Sequence, residues 1–276
     1  MTLAQYLSEL EQELVVAGEE AESLSFVYRA LNELSFTDFV LKLQAEVSQE
    51  DRDQLKAIHE QLLAHKPAQY IIGSSDFHGL TLKVDGRVLI PRPETEELVE
   101  LILSENPESS LSVLDIGTGS GAIALALASS RPDWQITASD LSGDALALAA
   151  ENAQSCGLNP TFVQSDCFEA ISGSFDIIVS NPPYISEADK NEVGLNVLTS
   201  EPHMALFAEE DGYAVYRKIA EQAGDYLTEK GKIYLEIGYK QGDGVAELFK
   251  KSFPQKRIRV LKDQFGKDRM VVVDNG

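Results

Sequence analysis

From residue 111 to the end of the chain, short apolar runs alternate with helical stretches, and few folds accept that order. Residues 112–116, 135–139, 161–164, 175–180 and 232–237 read as strands. Residues 122–129, 144–155, 214–227 and 245–253 read as helices, and Gly157 closes the second of them. Parallel neighbours in a sheet need a long crossover, and a helix lying on the sheet face supplies it. The alternation therefore predicts an α/β fold whose sheet is mostly parallel, with helices on both faces. Residues 258–261 and 269–273 have no helix between them and predict a closing antiparallel hairpin, which brings the strands to seven.

The first 66 residues carry a different pattern. Leu3, Leu7, Leu10 and Leu14 recur at helical spacing behind Thr2, a natural N-cap. Phe36, Phe39, Val40 and Leu43 make a second apolar face. Ser48 with Asp51 has the form of a capping box opening a third helix through Leu55, Ile58 and Leu62. Residues 1–66 are thus expected to be a small helical domain, placed to grip a substrate. Residues 67–90 are expected to be a β-hairpin connector turning at Asp85-Gly86, and residues 91–276 the larger domain. Pro91-Arg92-Pro93-Glu94-Thr95-Glu96-Glu97 starts a helix, with proline at its first turn and carboxylates at its positive end.

Composition narrows the function. Against 45 Asp and Glu stand 23 Lys and Arg, a net charge of −22 over 276 residues. Non-specific affinity for nucleic acid comes from cations that release counterions. A chain this acidic repels a polyanion at long range, which weighs against a nucleic-acid partner. Two cysteines, Cys156 and Cys167, are too few for a disulfide scaffold or a cysteine-based zinc site. No His, Asp and Glu cluster has metal spacing, so no metal is expected. No apolar run approaches the ~18–20 residues that span a bilayer. The acidic, amphipathic N-terminus fits neither a secretory signal nor a transit peptide, so a cytoplasmic protein is expected.

Four motifs fall where the carboxyl ends of strands should lie, which is where open α/β sheets bind ligands. Gly117-Thr118-Gly119-Ser120-Gly121 follows the first strand and opens an alanine-rich helix. Such a turn lets a ligand approach the backbone, as for a nucleoside cofactor. Asp140, 19 residues after Gly121, ends the second strand, where a carboxylate accepts from ribose hydroxyls. Ser142 is available to cap the next helix in its place. The glycine spacing differs from that of dinucleotide sites and no Walker lysine follows, which favours a nucleoside with a small zwitterionic tail. Asp166-Cys167-Phe168 follows the third strand and offers an acceptor for an adenine amine and a ring to flank the base, or simply a polar loop and a core phenylalanine.

The sharpest motif is Ser180-Asn181-Pro182-Pro183-Tyr184, directly after the fourth strand. Two prolines end the strand and stiffen the loop. The Asn181 side-chain oxygen and the Pro182 carbonyl are two acceptors beside the flat ring of Tyr184. That set suits a planar substrate bearing an NH2 group, either a carboxamide or an aminopurine.

Together these motifs resemble those of the S-adenosylmethionine-dependent amino methyltransferases. More narrowly, the chain is similar to the HemK/PrmC family, the release factor glutamine N5-methyltransferases, over about residues 67–273. The likeness rests also on Pro67-Ala68-Gln69-Tyr70-Ile71-Ile72-Gly73, Val88-Leu89-Ile90-Pro91-Arg92-Pro93-Glu94-Thr95-Glu96, Glu201-Pro202 with Ala205-Leu206-Phe207, Leu235-Glu236-Ile237-Gly238 and Lys267-Asp268-Arg269. A related family acting on a ribosomal-protein glutamine shares Asn-Pro-Pro-Tyr but does not usually carry Arg-Pro-Glu-Thr-Glu. His78 departs from a common aromatic, and Ser120 fills a variable position.

The resemblance implies a Rossmann-like methyltransferase fold that uses S-adenosylmethionine and yields S-adenosylhomocysteine. Its protein substrate would be a class 1 peptide chain release factor, methylated on the glutamine of the Gly-Gly-Gln motif by a monomeric enzyme. It implies that Gly117, Thr118, Gly119, Ser120 and Gly121 line the methionine part of the cofactor. Asp140 would hold the ribose and Phe168 flank the adenine. Asn181, Pro182, Pro183 and Tyr184 would hold the glutamine side chain, with Asn181, Pro182 and Tyr184 acting in catalysis and Asn181 also bordering the cofactor. Arg92 to Thr95 would shape the wall near the transferable methyl. Glu236, at the same sheet edge, is a weaker candidate. The alternative function is an adenine N6-methyltransferase on DNA or RNA, since the Asn-Pro-Pro-Tyr loop serves an aminopurine equally well.

Overall fold

The computed structural model describes residues 1–107 and 110–276. The chain divides into two compact units, one made of residues 1–75 with 193–201, the other of 76–192 with 202–276.

The first unit is helical. Helix α1 (Leu3–Val16) begins at a capping box in which Thr2 accepts from the Gln5 backbone and Gln5 from that of Thr2. Helices α2 (Glu22–Leu31) and α3 (Phe36–Leu43) follow, then α4 (Gln49–Leu63) and the short α5 (Ala68–Ile72). A second capping box joins Ser48 and Asp51 at the start of α4. Leu3, Leu7, Leu10 and Leu14 meet Leu24, Val27, Leu55, Ile58 and Leu62 in one apolar core. Asp51 accepts from the Tyr28 hydroxyl at 2.5 Å and the Lys42 ammonium at 2.8 Å. Those contacts, with the Ser48 hydroxyl, hold its carboxyl down at about 2 against the opposing effect of burial. The apolar face expected on α3 is only partly used: Phe39 is buried, whereas Phe36 and Val40 are exposed.

Strands β1 (Ser74–Phe77) and β2 (Leu80–Lys83) pair as a hairpin. Its turn is His78-Gly79, not Asp85-Gly86 as the sequence suggested. Both turn residues have positive φ (47° and 77°), the conformation that two-residue hairpin turns require. Asp85 instead accepts from the Arg87 backbone N–H and guanidinium in a local loop.

The second unit holds α6 (Pro93–Glu105), β3 (Ser112–Ile116), α7 (Ala122–Ser130), β4 (Gln135–Asp140), α8 (Gly143–Cys156), β5 (Thr161–Gln164) and β6 (Phe175–Ser180). After β6 the chain makes three short helices, α9 (Leu195–Ser200), α10 (His203–Leu206) and α11 (Glu209–Gly212), of which α9 groups with the first unit. Then come α12 (Ala214–Gln222), β7 (Leu227–Glu236), α13 (Gly242–Ser252), β8 (Arg257–Lys262) and β9 (Asp268–Asp274). Seven strands form one sheet in the order β5-β4-β3-β6-β7-β9-β8. The first five are parallel, and β9 runs antiparallel to both β7 and β8. The expected sheet and closing hairpin are both present. Helix α12 ends five residues earlier than expected, and β7 starts at Leu227.

Side chains alternate across the sheet. Val113, Ile136, Val179 and Tyr234 face a core with α6 and α7, while Leu114, Ile178, Ile233 and Val271 face one with α12 and α13. Strand order reverses between β3 and β6, so the crevice at the carboxyl ends of these two strands is the position a ligand site takes in such a sheet.

Candidate active site

A cavity opens at that switch point. It is lined by the loop after β3 (Gly117, Thr118, Gly119 and Ser120), by Asp140 after β4 and by Asp166 and Cys167 after β5. Asn181, Pro182 and Pro183 after β6, and Arg92 and Thr95 at the start of α6, complete the wall. Four loops that are distant in sequence are thus brought to one place by parallel strands whose carboxyl ends share an edge.

The glycine loop is tied down by its own backbone. Gly117 and Thr118 donate to the Ser139 carbonyl at 2.8 and 2.9 Å. Gly119 donates to Asp140 Oδ2 at 2.8 Å, and Ser142 to Asp140 Oδ1 at 2.9 Å. Each carboxylate oxygen keeps a lone pair for a further donor. Ser142, not Asp140, caps α8 by accepting from Ala145, which leaves Asp140 to the cavity. Burial raises the Asp140 carboxyl, and the N–H groups of Ser142 and Gly119 oppose it. Beneath the loop, Asp115 is fully buried and accepts from the Thr118 hydroxyl at 2.7 Å. Burial pushes its carboxyl up to about 7.

Three expected site residues, Gly121, Phe168 and Tyr184, stand back from the cavity wall. Gly121 has φ +85°, and a Cβ there would lie 3.1 Å from Leu125 and 3.3 Å from Ala149. Its glycine lets α7 start against α8. Phe168 is enclosed in the apolar core, with its ring stacked on Tyr226 at 4.7 Å between centroids. The ring expected beside the base is therefore core packing, and Cys167 takes its place on the wall. The Cys167 thiol is pushed up to about 11, mainly by burial and then by Asp166, so it is not a nucleophile at neutral pH.

The Asn-Pro-Pro-Tyr loop is held from several sides. Ser180 Oγ donates to the Ile116 carbonyl at 2.7 Å, fixing the end of β6 to β3. Ile185 bridges to Phe207 through hydrogen bonds with the Leu206 carbonyl and the Ala208 N–H, each 3.0 Å, which explains the Ala205-Leu206-Phe207 stretch. The Tyr184 carbonyl accepts from Gln241 at 3.1 Å, and Gln241 in turn accepts from the Gly238 N–H at 3.1 Å. The Tyr184 ring packs over Gly238, where a Cβ would come within 3.2 Å of it. Burial, with the Glu236 charge, pushes the phenol up to about 12, so it stays neutral.

Asn181 Nδ2 donates to Thr95 Oγ1 at 3.1 Å, and Thr95 Oγ1 donates to Glu236 Oε2 at 2.7 Å. Glu236 is 2 % exposed, and burial pushes its carboxyl up to about 7. Sequence reasoning found Glu236 only as a weak candidate, and it missed Gln241. Among the described residues no group of three His, Cys, Asp or Glu is arranged to hold a metal ion, and no helix is long and apolar enough to cross a membrane.

Comparison with known proteins accounts for both units. Residues 5–73 match the model of the PrmC N-terminal domain and residues 95–207 that of the methyltransferase small domain. The release factor glutamine methyltransferase of Streptococcus pneumoniae is 68% identical over all of this chain and 99% of its own length. The chain belongs to the release factor glutamine methyltransferase family. Members from Lactococcus lactis and Bacillus subtilis are 51% and 37% identical, over 92% and 94% of this chain and 94% and 92% of their own. Among solved structures, a methyltransferase from Pyrococcus furiosus aligns over 82% of this chain and 98% of its own with a TM-score of 0.55. At 19% identity it supports the Rossmann-like methyltransferase fold alone. This family member is therefore an enzyme.

Proposed function

We propose that this chain transfers a methyl group from S-adenosylmethionine to the side-chain nitrogen of the glutamine in the Gly-Gly-Gln motif of class 1 release factors. The observation that carries the reading is the lining of one cavity by Asn181, Pro182 and Pro183 together with the glycine loop and Asp140.

The cofactor half fits a nucleoside with a small polar tail. A Cβ on Gly117 or Gly119 would meet nothing within 4 Å, so the loop leaves a cradle of open space where backbone faces the cavity. Asp140 is positioned to accept from ribose hydroxyls, and Asp166 from an exocyclic amine. Lys218 pairs with Asp166 at 2.6 Å. Bound there, S-adenosylmethionine supplies an electrophilic methyl group on a sulfonium.

The chain's own work is on the acceptor. A carboxamide nitrogen is a poor nucleophile because its lone pair is delocalised, the resonance that gives an amide its ~18–20 kcal/mol rotation barrier. Asn181 Oδ1 and the Pro182 carbonyl accept the two N–H groups and hold the nitrogen in place. Acceptors that favour a pyramidal nitrogen bind the transition state more tightly than the planar ground state. Tyr184, neutral and packed on Gly238, backs the loop. The nitrogen that has gained a methyl is a strong acid and loses its proton to water, so no general base is assigned. The acidic surface supports a protein acceptor over DNA or RNA.

The test is transfer of a labelled methyl group to a class 1 release factor, with a glutamine-to-alanine factor and a DNA duplex as controls. Label on the intact factor alone is the expected result. Label on the duplex would replace this reading with the adenine one.

A further inference from the structure

The hydrogen bonds around Asn181 have a direction, and one proton decides it. An asparagine amide has nearly the same shape either way round, so its orientation is set by its partners. Thr95 has a single hydroxyl hydrogen. An ionised carboxylate only accepts, so Thr95 gives that hydrogen to Glu236, 2.7 Å away. Its oxygen then presents only lone pairs to Asn181, and the atom at 3.1 Å has to be the amide nitrogen. That places Oδ1 on the other branch of the amide, the one a substrate N–H can use.

We propose that Glu236, acting through Thr95, is the positioning residue that keeps Asn181 turned with its acceptor oxygen toward the substrate. The inference rests on the reading of Asn181 as an acceptor for the glutamine NH2. With Glu236 neutral, Thr95 is released to donate to Asn181. The amide then turns, and the substrate NH2 meets another NH2 group. Glu236 and Thr95 lie 141 residues apart, yet both are buried, at 2 % and 4 % exposure, behind the wall that Asn181 and Thr95 line. The same short segment holds the loop a second time, where Gln241 binds the Tyr184 carbonyl. This gives the Leu235-Glu236-Ile237-Gly238 motif a physical role.

The charge on Glu236 is itself balanced by its surroundings. Burial raises the Glu236 carboxyl and Glu94 on α6 adds to the rise, whereas the Thr95 hydroxyl, Arg269 on β9 and the Asn181 amide itself favour the ionised form. Tyr184 beside the loop and Tyr216 on α12 face the same carboxyl as neutral phenols. Tyr216 donates to the Glu236 backbone carbonyl at 2.8 Å and fixes the strand end.

The test combines kinetics with a signal that does not depend on turnover. In the wild-type protein with Thr methyl labelling, the Asn181 side-chain NH2 protons, assigned by their loss in Asn181→Ala, should show an NOE to the Thr95 methyl. In Glu236→Gln that NOE should weaken or vanish. On a release factor substrate, Glu236→Gln and Thr95→Val should lower kcat about 10–100-fold, the scale of lost outer-shell partners. The KM for S-adenosylmethionine should move less than about threefold, since the relay acts on the amide oxygen offered to the acceptor. Thr95→Ser, which keeps the hydroxyl, should restore most of the turnover lost in Thr95→Val. The acid limb of the wild-type kcat profile should disappear in Glu236→Gln. An Asn181 NH2 signal that ignores Glu236→Gln, or a Thr95→Val enzyme with wild-type kcat, would overturn the relay. A wild-type enzyme that shows the NOE but leaves the release factor unmethylated would overturn the substrate reading and leave the relay standing.

Discussion

At the scale of single residues, the carboxyl of Glu236 ties the site to pH. Burial pushes it up to about 7 from an ordinary value near 4.5. Between those values the folded chain holds a proton that the unfolded chain has released. Stability from this group is therefore full at low pH and lost as pH rises through about 7. Glu236→Gln removes that dependence, whereas Asp115, also raised, is common to both proteins and cancels. The melting temperature of Glu236→Gln minus that of the wild type should thus be more positive at about pH 8 than at about pH 5. A difference that stays constant between the two would mean that Glu236 is ionised throughout. The ionised form that the proposed relay requires is the less stable one.

Among the elements, the loop-to-helix junction at Gly121 joins chemistry to packing. Gly121→Ala would place a methyl group 3.1 Å from Leu125 and 3.3 Å from Ala149 at a φ of +85°. The expected cost is about 1–3 kcal/mol, from strain and overpacking, read as a lowered midpoint in urea. Unchanged stability would show that α7 and α8 have room to separate. Much of this level was legible beforehand. The glycine loop, Asp140 and the Asn-Pro-Pro-Tyr loop each sit at a strand end, and the alternation of elements already brought those ends together. What was hidden is non-local. Asp85-Gly86 and His78-Gly79 are both turn signals, and strand pairing rather than local preference chose the second. Phe168 follows an acid in a loop, yet its ring belongs to the core because Tyr226, 58 residues on, stacks against it. Glu236 and Gln241 reach the site by way of Thr95 and Tyr184, and no short-range pattern announces such a contact. The grouping of residues 193–201 with residues 1–75 is of the same kind.

Taken whole, the molecule carries a net charge of −22, far more than its fold needs. Such a field steers a basic partner and slows an acidic one. If a basic face of the release factor is what it attracts, the KM for that factor should rise several-fold between about 50 mM and about 200 mM salt, with kcat nearly constant. A salt-independent KM would assign recognition to uncharged contacts instead. We propose that the first unit, whose residues 5–73 match a domain model of their own, takes part in that recognition. The proposed chemistry falls on one nitrogen atom. The most direct measurement is peptide mass mapping of a class 1 release factor after incubation with methyl-labelled S-adenosylmethionine, using wild-type enzyme and Asn181→Ala. One added methyl is expected on the glutamine of the Gly-Gly-Gln peptide, its yield lowered by about 100-fold or more with Asn181→Ala. A methyl on another residue, or undiminished methylation by Asn181→Ala, would contradict the proposed chemistry.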